Sequence, residues 1–227
     1  MYRCVVRRRA IMYNSNMDFV HLIIILLIVL VSTVLHELAH GGVAYLLGDT
    51  TAKDEGRLSL NPVKHIDPVM SIFIPLMLFA MHGPIFGGAK PVPVDSRNLE
   101  GKEWGMALVA LAGPFTNFLL AFIAFVIGRF TGLFNDYGLA GFIASECVLI
   151  NLGLMLFNLL PIPPLDGSRV LYAIAPDGAR NVMRSLETYG LFIVLILVWV
   201  CGDLLSRYLV FAMDGIINFF TILTGGA

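Results

Sequence analysis

Residues 19–47 read FVHLIIILLIVLVSTVLHELAHGGVAYLL, and this stretch decides the fold. It is 29 residues long, bounded by Asp18 and Asp49, and exceeds the ~20 apolar residues that carry a helix across a hydrocarbon core. Its second half holds His36, Glu37 and His40, ionisable groups that are costly in hydrocarbon and usually functional there.

The composition agrees with a membrane fold. Of 227 residues 58% are hydrophobic and 14% charged, where an ordinary globular domain carries roughly 25% charged residues. Mean hydropathy is +0.83. A net charge of -1 supplies no basic face, which argues against nucleic-acid binding. Cys4, Cys147 and Cys201 are odd in number and widely spaced, so neither a disulfide framework nor a cysteine zinc site fits.

Working outward, Pro68–Met81 is short for a span and runs into GPIFGGAKPVPV, rich in Gly and Pro. Non-helical backbone survives at membrane depth only when buried in protein or lining a cavity. Residues 66–98 are therefore expected to form a re-entrant unit, a helix with an extended return; a span followed by an external loop is the alternative. Further spans are expected at Trp104–Ile127, Gly138–Leu160 and Tyr189–Leu205. The last run, Tyr208–Leu223, contains Asp214 and reads as a span or an interfacial helix. The expected fold is an all-α polytopic membrane protein with about five to six transmembrane helices and a re-entrant segment around a metal site. One domain over residues 17–227 accounts for it.

Arg7, Arg8 and Arg9 ahead of the first run resemble the start of a signal peptide. That run is too long for a signal core and has no small-residue cleavage pattern, so it is read as a retained span. Residues 1–16 are read as an upstream extension, with Met17 as the natural start.

His36-Glu37-Leu38-Ala39-His40 is the pattern H-E-x-x-H. On a helix, residues four apart share a face, so both imidazoles can reach one ion while Glu37 reaches a water beside it. With five His and six Glu in the chain, chance supplies about 0.003 copies of the pattern. The alternative is a pair of histidines buried by packing. Catalytic zinc usually takes three protein ligands and leaves one position open. His21 lies about 22 Å away along the helix and cannot be the third. Asp166, closing Asn158-Leu-Leu-Pro-Ile-Pro-Pro-Leu-Asp166-Gly167, is the better candidate, although Asp-Gly is also a common cap or turn. Asn158 could donate to a substrate carbonyl as it gains negative charge. Pro161, Pro163 and Pro164 break helix geometry and leave carbonyls for an extended substrate to meet. A kink that merely shapes the bundle is the plainer reading.

HELAH in one span and NLLPIPPLDG in a later one resemble the site-2 protease family of intramembrane zinc metalloproteases. Ala112-Gly113-Pro114-Phe115-Thr116-Asn117 is similar to the family's middle-helix motif. The loop GRLSLNPVKHIDP and the segment GGAKPVPV resemble the small bacterial members without a PDZ or CBS domain. The resemblance implies one zinc ion held by His36, His40 and Asp166, with Glu37 as general base. It gives Asn158 a substrate or oxyanion contact and Asn117 a site-lining or packing role; Gly113 is read as permitting close helix approach. It implies a transmembrane protein as substrate, the lipid bilayer as surroundings and a bacterial inner membrane as location.

The competitors are a membrane zinc transporter, a metal-binding protein without protease activity, and a metalloprotease of another class with Glu146 as the third ligand. A transporter should show more intramembrane ligands along a path, whereas His21, His65 and His82 are scattered. Charge gives an orientation. Lys53, Arg57, Lys64, Lys90, Arg97, Lys102, Arg169, Arg180 and Arg184 fall on one side, and Arg129 and Arg207 on the other with the N-terminal arginines. Positive residues favour the cytoplasm, so the active site is expected to face it.

Overall fold

The computed structural model describes residues 19–68, 73 and 90–226. The expected extension, residues 1–16, and most of the expected re-entrant unit lie outside the described residues.

Helix α1 (Phe19–Leu46) forms from the long apolar run. At 28 residues it is about 42 Å long, more than one hydrocarbon thickness. Its buried residues are Ser32, Val34, His36, His40, Gly41 and Ala44, none of them ahead of the helix midpoint at Ser32. Ahead of Ser32 no residue is buried, and Phe19, Leu26 and Leu27 are exposed as on a lipid-facing surface.

Helix α2 (Glu103–Phe130) lies between α1 and α3 (Leu139–Asn158) and packs on both. The buried positions Ala107, Ala110, Gly113, Asn117 and Ala121 recur every three or four residues, and four of the five are Gly or Ala. Small residues on that spacing let neighbouring backbones approach closely, the usual basis of helix contact in a bilayer. Below this seam Phe125, Phe134, Val148, Leu149, Leu152, Ile217 and Phe220 form the main apolar core.

After α3 the chain turns through the proline-rich stretch into α4 (Asp166–Ile174), which packs against α2. Helix α5 (Asp177–Glu187) buries none of its residues and meets α6 (Gly190–Val200) at a bend of 84°. Helix α7 (Gly202–Leu223) returns to α3. Four helices, α1, α2, α3 and α7, are long and apolar enough to cross a membrane, and the bent α5–α6 pair makes five if it is one span.

One boundary differs from expectation. The run expected to continue to Leu205 ends at Val200, and the last helix begins at Gly202 rather than near Tyr208. Asp203 in the first turn of α7 places a carboxylate where the helix dipole favours it, and the apolar run hides that break.

The far end of α1 is fastened to the chain ahead of α2. Asp49 is fully buried. It accepts from Thr51 N and Oγ1 at 3.1 and 2.5 Å, Asp95 N at 2.7 Å and Asn98 Nδ2 at 3.3 Å. The Leu47 carbonyl accepts from Glu100 N at 2.8 Å. These bonds bring residues 90–100 back against the half of α1 that carries the histidines.

Candidate metal centre

One helical turn separates His36 from His40, and their Nε2 atoms lie 3.0 Å apart. Asp166 completes a triangle: Oδ2 is 3.2 Å from His36 Nε2, and Oδ1 is 3.4 Å from His40 Nε2. Among the described residues, these three form the group whose ligand atoms lie close enough to share a metal ion.

The other face of each ring fixes its tautomer. His36 Nδ1 donates to Asn117 Oδ1 at 2.5 Å, and His40 Nδ1 donates to the Val109 carbonyl at 2.7 Å. A neutral imidazole has one N–H, so each Nε2 keeps a lone pair aimed inward. Asp166 Oδ2 is buried and receives no hydrogen bond although His36 Nε2 is near, as expected of two facing acceptors. Three lone-pair donors crowded together repel one another unless a cation lies between them. A tetrahedral ion with bonds of about 2.0–2.1 Å holds its ligand atoms roughly 3.3 Å apart. The observed 3.0–3.4 Å separations fit that geometry, and a His₂Asp set with an open position suits zinc.

Glycines bring the three elements together. A Cβ on Gly113 would lie 2.5 Å from both His36 Nε2 and His40 Nε2, so α2 reaches the site only without a side chain there. On Gly167 a Cβ would meet the Leu159 carbonyl at 2.2 Å; glycine lets α4 start directly under the end of α3. That start aims Asp166 at the histidines. The N-cap of α4 is Leu165, so the cap reading of Asp166 does not describe this turn.

Glu37 is half-buried beside the triangle, and its Oε2 accepts from Val92 N at 2.8 Å. Asn117 is fully buried and links onward: its Nδ2 donates to Asn151 Oδ1, and Asn151 Nδ2 to the Cys147 carbonyl, each at 2.9 Å. Asn158 is not brought into the triangle, since its amide donates to Leu154 O one turn back at 3.0 Å. Glu146 is buried on α3 outside the ligand group, and the ring of His21 stands against Phe142.

Asn151 and the Val109 carbonyl are the parts sequence reasoning missed. An Asn in the middle of an apolar helix is a usable signal, because such a group needs a partner at that depth. A backbone carbonyl carries no sequence signal at all.

No family model matches the chain, and no solved structure does. Curated relatives do match. "Putative zinc metalloprotease YwhC" of Bacillus subtilis is 44% identical over 177 residues, covering 74% of this chain and 76% of the relative. "Putative zinc metalloprotease Rip2" of Mycolicibacterium smegmatis is 31% identical over 170 residues, covering 74% of this chain and 63% of the relative. A shorter match, 46% over 63 residues, is to "Putative zinc metalloprotease MJ0611" of Methanocaldococcus jannaschii. Identity of this extent, on a chain whose HELAH and LDG segments meet in one ligand triangle, shows that the protein belongs to the site-2 protease family of zinc metalloproteases.

Proposed function

We propose that the protein is an intramembrane zinc metalloprotease that hydrolyses peptide bonds within or beside transmembrane segments of other proteins. In this reading His36, His40 and Asp166 hold one zinc ion and Glu37 is the general base. The observation that carries it is the convergence of three inward-facing lone-pair donors, with Glu37 next to a ligand, on a helix apolar enough to span a membrane.

Zinc held there supplies Lewis acidity, which polarises a carbonyl and makes water a nucleophile near neutral pH. Glu37 takes the proton of the attacking water and delivers it to the leaving amine. The Val92 amide holds Oε2, so Oε1 is the oxygen available to that proton. Asn117 and the Val109 carbonyl keep both histidines in the tautomer that presents Nε2.

A helical substrate must unwind locally before its carbonyl reaches the site. Residues 90–94 and 158–166, rich in proline and outside regular helix over most of their length, are suited to hold an extended segment. Asn158 takes part by exchanging its bond to Leu154 O for a substrate carbonyl. The lysines and arginines between α1 and α2 and on α4–α5 favour a site toward the cytoplasm, and the bacterial relatives favour a bacterial inner membrane.

Proteoliposomes carrying the protein and a transmembrane peptide test the reading. Cleavage that a zinc chelator stops and added zinc restores is the expected result. Zinc flux across the vesicle without cleavage would make the protein a carrier and overturn the proposal.

A further inference from the structure

In Lys90-Pro91-Val92-Pro93 the two prolines have no N–H, so Val92 holds the one backbone donor of the Pro-Val-Pro unit. Each proline also drives the residue before it toward extended backbone. That single donor goes to Glu37 Oε2. Something must hold the segment in this register.

Arg57 does so. Its Nη2 donates to the carbonyls of Lys90 at 2.9 Å and Pro91 at 3.2 Å, the two residues ahead of the Val92 amide. The side chain is buried at 8% exposure, and none of the ion pairs among the described residues includes it. Burying a guanidinium without a carboxylate is costly, so its use on these two carbonyls calls for a reason. The His65 carbonyl adds a bond from Lys90 N at 2.8 Å. Gly41 provides the space: a Cβ there would lie 2.9 Å from Val92 Cγ1 and 2.5 Å from Leu58 Cδ2. Val92 therefore packs on the same helix that carries Glu37.

We infer that Arg57 is a positioning residue for Glu37, acting through the Lys90 and Pro91 carbonyls to fix the Val92 amide on one carboxylate oxygen. The inference rests on the reading of Glu37 as the base. It makes the loop between α1 and α2 part of the catalytic geometry.

The test is a double-mutant cycle on purified, zinc-loaded protein with a transmembrane peptide. Arg57→Ala and Arg57→Lys are measured in the wild-type and Glu37→Asp backgrounds for bound zinc, kcat and KM. Arg57→Ala should keep its zinc and lose ~10–100-fold in kcat, with KM changed less than about threefold, the scale of a misplaced reacting group. Arg57→Lys should recover part, because a single nitrogen makes both bonds and an ammonium can carry two, although its shorter, more flexible stem places them less well. In Glu37→Asp the carboxylate is one carbon short of the Val92 amide, so removing Arg57 should add less than about threefold. The same loss in both backgrounds means a structural role and overturns the inference, as does wild-type kcat in Arg57→Ala. If Arg57→Ala fails to fold, Arg57→Lys decides by the same comparison. A Glu37→Gln protein with wild-type kcat would instead remove the base itself, an outcome distinct from additive Arg57 losses beside an inactive Glu37→Gln.

Discussion

Gly113→Ala adds one methyl group, and the site geometry sets what that does. The new carbon would lie 2.5 Å from Nε2 of both His36 and His40. An ordinary contact needs about 3.5 Å, so helix α2 or the two rings must retreat by about 1 Å. The rings are not at liberty to swing, since their Nδ1 atoms are held by Asn117 and the Val109 carbonyl. Metal–ligand distances tolerate only about ±0.2 Å. On helix propensity alone the change would stabilise α2 by about 1 kcal/mol; overpacking costs about 1–3 kcal/mol and falls on the ligand atoms. Gly113→Ala should therefore still form its helices but bind zinc at least ~100-fold more weakly, about 2.7 kcal/mol. Competition with a chromophoric chelator on detergent-purified protein measures this. Gly42→Ala, where a Cβ meets nothing within 4 Å, is the control and should keep its zinc. Wild-type zinc affinity in Gly113→Ala would mean that the site absorbs the methyl group without moving its ligand atoms, contrary to this expectation.

Asn117→Ala removes the acceptor for His36 Nδ1 and the partner of Asn151, and should weaken zinc binding ~10–100-fold; an unchanged dissociation constant counts against its orienting role. At Asp49, burial pushes the carboxyl pKa up, but bonds from Thr51, Asp95 N and Asn98 outweigh it and hold the value below the usual one. A lowered folded pKa gives stability that is complete above the unfolded value of about 3.9 and lost as pH falls through the folded one. The melting-temperature gap between wild type and Asp49→Asn should thus narrow in acid below about pH 4, and a gap independent of pH would contradict this. For orientation, a single cysteine at Asp177 should resist an impermeant thiol reagent in intact cells while one at Asn135 reacts; the reverse would turn the protein over in the membrane.

Much of this site was legible because its chemistry is written in short intervals. His36 and His40 meet through the helix repeat alone, and an ionisable pair in an apolar run already pointed to function. Asp166 is less legible, since Asp before Gly serves equally as a cap; in the structure Leu165 is at the N-cap and the Asp166 carboxylate lies against both imidazoles. The tautomer-fixing carbonyl of Val109, the Asn117–Asn151 link and the Val92 bond to Glu37 arise from packing between segments far apart in the chain. No local pattern encodes them. The span boundaries shifted where apolar composition runs on through a turn, as at Cys201 and Gly202. Asn158 is where the proline-rich motif leads, yet its amide is satisfied within its own helix, so any substrate contact requires an exchange of partners.

In the proposed reaction a metal held by His36, His40 and Asp166 and a proton acceptor at Glu37 together cleave a membrane peptide. Bound zinc and cleavage, measured in the same preparation for wild type and Glu37→Gln, test it most directly. About one zinc per chain is expected in both proteins, with cleavage reduced ~10²–10⁴-fold in Glu37→Gln. Wild-type cleavage by Glu37→Gln, or a folded wild-type protein that takes up no zinc, would contradict it.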